Sequence, residues 1–521
     1  MLDVYFCLSC VAEVHWVLFL LFCKKPDNIS SRCISMYRSL FVIAIILSCA
    51  NAMAQDDDFR SVYESFKKQT KLEYSDFRDK ANKEYIDFIR QAWTSNKAFL
   101  TIPKPKEKNV PPVIIKEEDR KKPIEDNPIV IEEQIGIPKP TPQPVPVVPI
   151  REQPHPMEQT FAFSLYGTEM QVRLDEALKF RLPNLKTESI AQAWEQLSGE
   201  KYNNVIRDCL ELRIRRQLCD WSYLRMLDVL CDGFLGQNSN EAELLKAYIY
   251  CQSGYQMRLA MANNHLYMLY ASQHLIFDKP CWQIDDTFYY ADNCSTDEIQ
   301  LCEASFPHEQ ALSLYITQEQ QLSRKIAPKR VLQSSDVKWL KASVTEDEYL
   351  MAFYEDYPTS CIGDDFMTRW AMCANVPMNS EAKNELYTAL KGIIQNRPLA
   401  EAVDILCHWA QTAFVYEYDD KVWGEDRAFF ADETLYYPYC DCEDRSILFT
   451  RIVRDLLGLK CALVYYPGHL ATAIAIGEDV KGDYIRIDNM KYIVCDPTYI
   501  GAPIGMTMPD MDNKSARVIV L

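Results

Sequence analysis

Residues 436–449 read YYPYCDCEDRSILF, and this stretch sets the start of a helix around which the C-terminal region is organised. Acidic residues follow Cys442 directly, an apolar-periodic run continues to Leu457, and Gly458 closes the pattern. Acidic residues in a first turn and a glycine at the end are helix start and stop signals. The sequence therefore predicts Cys442 in the first turn of a helix, where the helix dipole favours a thiolate and lowers the thiol pKa.

Two further residues complete a candidate catalytic set. An apolar strand, KCALVYY, leads through a Pro467-Gly468 turn to His469 at the head of a second strand, and the next predicted hairpin ends at Asp496. A cysteine nucleophile needs an imidazole to take its proton, and the imidazole needs a carboxylate to fix its tautomer. The chain supplies the three groups in this order.

The motifs around these residues, DCEDRS, PGHLATAI and DPTY, resemble those of the transglutaminase-like superfamily of papain-type cysteine enzymes, in a bacterial secreted form. The resemblance covers residues 395–505. It implies Cys442 as nucleophile, His469 as base and Asp496 as orienting acid. Some members of the superfamily have lost activity, so the fold alone does not establish catalysis.

The resemblance also implies the fold class. We expect an α+β chain whose transglutaminase-like core packs the Cys-bearing helix on an antiparallel sheet. Trp423 lies in the aromatic, acidic segment before Cys442 and is a candidate wall of the substrate cleft. In that place it would help the Cys442 backbone N–H hold an oxyanion, and a packing role is the alternative.

Composition limits the other function classes. A chain of 521 residues suits more than one domain, and its net charge of −18 argues against nucleic acid as a partner. There is no HExxH motif and no clustered His/Cys spacing, so we expect no metal and no other cofactor. The cysteines lack the dense spacing of a disulfide scaffold, although Cys281, Cys294 and Cys302 are near enough in sequence to pair.

The N-terminal region carries targeting information. Residues 36–54 have the form of a secretory signal peptide that ends in Ala52-Met53-Ala54. Residues 1–35 are interpreted as a start-site extension, with a short membrane anchor at residues 14–22 as the alternative. The protein is therefore predicted to be exported, either to the periplasm or cell envelope or out of the cell.

Between the signal peptide and the body lie two more segments. Residues 55–98 show aromatic residues at helical spacing, which predicts one amphipathic helix that either packs on its own domain or docks a protein partner. Residues 99–156 are rich in proline and alternating charge, which is typical of an extended, unpacked linker.

The body is predicted to hold two units. Residues 157–334 form an α+β domain with hairpin turns at Gly167 and at Asn263-Asn264, and residues 335–521 form the catalytic domain, helical over 335–395. Subtracting 204 from Cys442, His469 and Asp496 gives Asn238, His265 and Asp292. We therefore hypothesise that the first unit is a degenerate copy of the second that lacks the nucleophilic cysteine.

The predicted reaction is attack of the Cys442 sulfur on a carbonyl, with an acyl-enzyme intermediate and proton return by His469. Hydrolysis of a protein or peptide substrate, including cell-wall peptide, is favoured over transfer to an amine. The alternative from another class is a catalytically silent secreted scaffold that binds peptide or cell wall through the same fold.

Overall fold

The computed structural model describes residues 77–106, 110–131, 133–140, 142–144, 159–292, 294 and 296–521, which belong to one compact unit. The predicted start-site extension, the signal peptide and the first part of the N-terminal helix lie outside these residues. Among the described helices, none has the length and apolar character that crossing a membrane requires.

The described helices, in chain order, are α1 (77–91), α2 (Glu117–Arg120), α3 (Thr187–Leu197), α4 (Asn203–Arg215), α5 (Asp220–Leu235), α6 (Asn240–Gln252), α7 (Glu348–Asp356), α8 (Thr368–Asn375), α9 (Ser380–Ile394), α10 (Leu399–Thr412), α11 (Asp419–Val422), α12 (Ala431–Tyr436) and α13 (Cys442–Leu457).

The described strands, in chain order, are β1 (Trp93–Asn96), β2 (Phe99–Thr101), β3 (Asn127–Pro128), β4 (Glu133–Gly136), β5 (Phe161–Leu165), β6 (Thr168–Val172), β7 (Met257–Ala262), β8 (His265–Ala271), β9 (His274–Ile276), β10 (Pro280–Ile284), β11 (Thr287–Tyr290), β12 (Ile299–Cys302), β13 (Arg330–Gln333), β14 (Lys341–Val344), β15 (Ser360–Ile362), β16 (Val415–Tyr416), β17 (Tyr439–Cys440), β18 (Cys461–Tyr466), β19 (His469–Ile474), β20 (Asp483–Ile487), β21 (Met490–Cys495) and β22 (Arg517–Val520).

Two seven-stranded sheets organise the chain, so the predicted α+β class with antiparallel sheets is confirmed. The first sheet has the order β1-β12-β7-β8-β11-β10-β2, and the second has the order β3-β20-β21-β19-β18-β22-β4. Helix α6 packs on the first sheet and α13 on the second. Both predicted hairpin turns form, with positive φ at Tyr166-Gly167 and at Asn263-Asn264.

The central five strands have the same arrangement in both sheets. After its helix, each unit contributes five strands to its large sheet, and β9 of the first unit pairs elsewhere, with β15. Numbered along the chain, the five lie in the order fifth, first, second, fourth, third: β12-β7-β8-β11-β10 in one sheet and β22-β18-β19-β21-β20 in the other. All neighbours within these sets are antiparallel. The internal repeat stays a prediction, and this shared order is what it requires.

The segment predicted to be an unpacked linker is instead paired with the sheets. Strands β3 and β4 come from it and lie at the two ends of the second sheet, each parallel to its neighbour. Its side chains Ile115, Ile129 and Ile135 are buried. Proline disfavours helix and central strand but is tolerated in an edge strand, and the isoleucines give the segment apolar side chains to bury. Composition alone did not reveal this.

The described part of the predicted N-terminal helix packs on its own unit. Helix α1 buries Tyr85 against Trp194, with ring centroids 4.8 Å apart. Asn82 Nδ2 donates to Gln252 Oε1 at 3.3 Å. The helix ends at residue 91, short of the predicted 98, because Trp93 to Asn96 pair with β12 as a strand. A protein partner for the N-terminal helix stays a prediction.

The start of the second unit is predicted to be helical, but it begins with a β-hairpin. Strands β13 and β14 form an antiparallel hairpin, and the first helix of the region is α7. Burial alternates along Lys341–Val344, which is the period of a strand and not of a helix. The cysteines of the described chain are all free thiols, including Cys281, Cys294 and Cys302.

We expect the edge strands to matter for stability. The Ile135 side chain in β4 is 9% exposed and packs with Ile447 of α13, whereas Val130 nearby is 77% exposed. Ile135→Ala should lower the free energy of unfolding by roughly 2 to 4 kcal/mol, because it leaves a cavity under the edge. Val130→Ala should change it little. Urea unfolding of both variants tests this, and equal effects would contradict the packed-edge description.

Candidate active site

Cys442 is the first residue of α13, as predicted. Asp441 is the N-cap, and its Oδ1 accepts from the backbone N–H of Glu443 at 3.0 Å and of Asp444 at 3.5 Å. The Asp444 side chain accepts in return from the Asp441 backbone N–H at 3.0 Å. This reciprocal capping box fixes where the helix begins, and Gly458 ends it with a φ of 66°.

His469 and Asp496 form a buried pair. His469 Nε2 lies 2.8 Å from Asp496 Oδ2, and the two side chains are 0% and 2% exposed. Asp496 Oδ1 accepts from the backbone N–H of Thr498 at 2.8 Å and of Tyr499 at 3.1 Å. Because a carboxylate only accepts, Nε2 carries the proton of this bond, and Nδ1 of a neutral ring has a free lone pair.

The cysteine lies beside the histidine's own strand. The backbone N–H of Leu470, the residue after His469, lies close enough to the Cys442 sulfur to lower the pKa of the thiol. One helical turn along, Ser446 Oγ donates to the Leu470 carbonyl at 2.7 Å. His469 Nδ1 is buried and has no hydrogen-bond partner among the described residues. The three predicted residues are therefore brought to one place, with an unused imidazole nitrogen in the same buried region as the thiol.

The predicted lowering of the thiol pKa does not occur. Burial raises the pKa of Cys442 well above its usual range, and the negative charges of Asp441 and Glu443 raise it further. The Leu470 N–H opposes this shift but does not overcome it. The prediction counted the helix dipole and neglected desolvation, which is the larger effect for a thiol that is 3% exposed.

Carboxyl groups crowd this end of the helix. Asp419, Asp441 and Glu443 each place an oxygen within 4.8 Å of the others, and these three could hold a cation. Glu443 Oε2 accepts from Trp370 Nε1 at 2.5 Å and from Arg369 Nη2 at 3.4 Å. Burial and the Glu443 charge raise the pKa of Asp419 to about 8. The cluster therefore shares protons at neutral pH.

Within the described chain, Trp423 contacts aromatic and basic side chains. Its ring packs edge-on against Phe429 and Tyr437, at centroid distances of 5.6 and 4.7 Å, and the Arg427 guanidinium lies over it at 4.9 Å. These contacts are those of the packing alternative. Its role at an oxyanion stays a prediction.

Sequence reasoning missed Tyr416. Strand β16 pairs in parallel with β17, which sets Tyr416 opposite Cys440, two residues before the nucleophile. Its hydroxyl is buried and has no hydrogen-bond partner within the described chain. Burial is the largest cause of the raised pKa of Tyr416, and the next largest are the charges of Cys442 and Asp441. The Tyr416 hydroxyl therefore lies near both of these groups. No motif marks such a residue, since only the strand register brings it to the site.

Two side chains join the nucleophile helix to the loop that carries Asp496. Arg445 Nη1 donates to the Gln411 carbonyl at 3.0 Å, and its guanidinium lies over the Tyr416 ring at 5.4 Å. Gln411 Nε2 donates to the Asp496 carbonyl at 3.0 Å and to the Ala502 carbonyl at 3.1 Å. This network fixes the helix, the loop and Tyr416 relative to one another.

The first unit has no such site at the corresponding place. Asn240, not the predicted Asn238, is the first residue of its helix α6, and Asn240 Oδ1 accepts from the Leu266 backbone N–H at 2.8 Å. Leu266 follows His265 as Leu470 follows His469, so the hypothesised repeat would pair Asn240 with Cys442. His265 is exposed, and Asp292 is paired with Arg225 and Lys279.

A scan of protein-family models finds no match for the chain, and searches of curated proteins and of solved structures find none either.

The carboxyl cluster predicts a pH-dependent stability. Asp419 binds a proton in the folded state up to a pKa of about 8, whereas an unfolded Asp releases it near pH 4. The unfolded state therefore binds fewer protons between these values, and the free energy of unfolding falls as the pH rises through this window. Asp419→Asn, which cannot titrate, should lose less stability than the wild type between pH 5.5 and pH 8. Urea unfolding at both pH values measures this.

The exposed neighbour Asp420 gives the matched control. Asp420→Asn should keep the wild-type loss of stability between the two pH values. An Asp419→Asn protein with the full wild-type loss would show that this carboxyl is ionised in the folded state.

Proposed function

We propose that the protein is a transglutaminase-like cysteine enzyme that acts on peptide or amide bonds through an acyl-thioester on Cys442. The observation that supports this most directly is the buried His469–Asp496 pair, whose remaining nitrogen Nδ1 is unpartnered in the region where the Cys442 sulfur lies. A histidine that only packs would be expected to use both ring nitrogens or expose one.

The chemistry follows from the proton positions. Because the thiol pKa is raised, Cys442 starts as a neutral thiol, and His469 Nδ1 takes its proton as the sulfur attacks the substrate carbonyl. Asp496 stabilises the imidazolium that forms and holds the ring in place. The imidazolium then gives its proton to the leaving amine, and the acyl group stays on sulfur until a water or an amine attacks it.

The developing oxyanion needs donors near the helix start. The backbone N–H of Cys442 lies in the first turn and has no acceptor within its own helix. The unpartnered hydroxyl of Tyr416 is a second donor in the same region. Donors that are fixed before the reaction stabilise such a charge most strongly. We therefore give Tyr416 the role for which sequence reasoning considered Trp423.

The site is lined by acid and is closed to solvent, which favours a neutral peptide or amide group over an anionic substrate. Hydrolysis is proposed over amine transfer, with a protein or peptide substrate such as cell-wall peptide. Export to the periplasm or cell envelope stays part of this proposal. The second candidate is a silent peptide-binding scaffold, and the raised thiol pKa is the observation that favours it.

The reactivity of Cys442 separates the two candidates. We expect p-nitrophenyl acetate to acetylate Cys442 faster than the other buried thiols, with Cys461 and Cys495 as internal controls. His469→Ala should slow this reaction by roughly 100-fold or more, because it removes the general base. Mass spectrometry of peptides from a time course gives the rate at each cysteine. If Cys442 is acetylated no faster than Cys461, or if His469→Ala does not change its rate, the enzyme proposal is contradicted and the scaffold function is favoured.

Tyr416→Phe tests the oxyanion donor. The variant should fold with wild-type stability, since the hydroxyl has no partner to lose. It should slow acetylation of Cys442 by roughly 100-fold, the usual effect of removing one oxyanion donor. Alkylation by iodoacetamide should keep its rate, because displacement at a saturated carbon develops no oxyanion. Equal slowing of both reactions would show that Tyr416 acts on the thiol itself.

A further inference from the structure

A short segment of the N-terminal region is seated against the catalytic loops. The segment comprises residues 110–115, VPPVII, and we call it the strap. The Val110 backbone N–H donates to the Gly468 carbonyl at 2.7 Å. Further along, the Ile115 N–H donates to the Ile500 carbonyl at 3.0 Å, and the Ile500 N–H donates to the Val113 carbonyl at 2.8 Å. The strap is thus held in an extended form by backbone bonds.

The surface under the strap, which we call the strap groove, is apolar. Ile115 is 9% exposed and packs in one cluster with Tyr499, Ala502 and Met508. Its Cγ2 comes so near to Gly501 that a Cβ there would lie 3.3 Å from it. The neighbouring Ile114 is 71% exposed, so the strap buries one isoleucine and leaves the next in solvent. This alternation is that of a strand laid on a surface.

The groove borders both partners of the nucleophile. Gly468 is the residue before His469, and Ile500 lies in the loop that begins at Asp496. Gln411 holds that loop, because its Oε1 accepts from the Gly501 N–H at 3.0 Å and its amide binds the Asp496 carbonyl. The strap therefore crosses the edge of the site where the imidazole and its carboxylate lie.

The closed site has to open before a substrate can react. Cys442 is 3% exposed, and the His469 side chain is 0% exposed. Strand β19 carries His469 and is paired within the sheet, and Gln411 holds the loop that carries Asp496. The strap is attached through its own few backbone bonds and one buried side chain. A segment that is held by so few contacts opens at a lower cost than the sheet beneath it.

We propose that the strap groove is the binding site for an extended, apolar segment of the peptide substrate, and that the chain's own residues 110–115 occupy it in the free protein. Backbone bonds to Gly468 and Ile500 supply affinity without sequence preference, and the pocket under Ile115 selects a β-branched or other aliphatic side chain. The identification of the occupant as substrate rests on the proposed function, whereas the covering of Cys442 by the strap does not.

The first experiment measures access to Cys442 in the full chain. Ile115→Asp places a charge in the apolar pocket and should release the strap, so alkylation of Cys442 by iodoacetamide should rise roughly tenfold or more. Ile114→Asp, its exposed neighbour, should keep the wild-type rate. Peptide mass spectrometry reads Cys442 together with Cys461, whose unchanged rate shows that the fold is intact. An unchanged Cys442 rate in Ile115→Asp overturns the covering role.

A second variant keeps the test decisive if Ile115→Asp fails to fold. Val110→Pro removes the N–H that bonds to Gly468 and changes nothing buried deeply, since Val110 is only half-buried. It should also raise alkylation of Cys442 and leave Cys461 unchanged. Parallel increases at both cysteines would indicate general loosening and would count against a specific cover.

The second experiment tests the groove as a binding site. A fluorescein-labelled peptide with the sequence of residues 110–119, VPPVIIKEED, should bind the Ile115→Asp chain in trans. It should bind the wild type at least about tenfold more weakly, because the strap of the same chain competes with the peptide for the groove at a high effective concentration. A peptide with Asp at the Ile115 position should not bind. Equal affinity for both proteins overturns the occupancy.

The outcomes distinguish the two proposals. Alkylation of Cys442 that becomes faster after strap release, together with acetylation that does not depend on His469, would support the cover and contradict the enzyme. Acetylation that depends on His469, together with alkylation that strap release does not change, would support the enzyme and contradict the cover.

Discussion

The pairing of exposed sheet edges is the constraint on which this structure depends. A strand at the end of a sheet presents unpaired N–H and C=O groups that must be covered. All four ends of the two large sheets are formed by β1 to β4, within residues 93–136. The N-terminal segment thus belongs to both units and holds the strap beside the catalytic loops as it passes from one sheet to the other.

The site shows a competition between two electrostatic effects. The start of helix α13 favours negative charge, but the carboxyl groups of Asp441, Glu443 and Asp444 crowd it, and burial penalises an anion there. A thiol that stays protonated needs its base within reach, and the unpartnered nitrogen of His469 suits that need. Charge in the cluster therefore acts on the sulfur itself, whereas the strap contacts Gly468 and Ile500, beside His469 and in the loop that begins at Asp496.

Local patterns predicted the elements that carry the site, because caps and turns are read from neighbouring residues. Gly458 and the Asn263-Asn264 turn are such signals, and each lies where the sequence predicts it. Long-range pairings could not be predicted this way. Tyr416 reaches the site only through the register with Cys440, and the proline-rich segment becomes edge strands only because the sheets leave edges open. The offset of 204 places Asn238 before the start of α6, because the chain from the first residue of the helix to the following strand is shorter in the first unit than in the second.

The protonation of His469 tests the central claim most directly. Nitrogen NMR of imidazole-labelled protein should show Nε2 protonated and Nδ1 with a free lone pair. The Nδ1 resonance should shift in Cys442→Ala, because loss of the thiol changes the surroundings of that nitrogen. The Nε2 resonance, which reports the bond to Asp496, should stay in place. A protonated Nδ1 paired with a bare Nε2, or an Nδ1 resonance that ignores Cys442→Ala, would contradict a cysteine activated by this histidine.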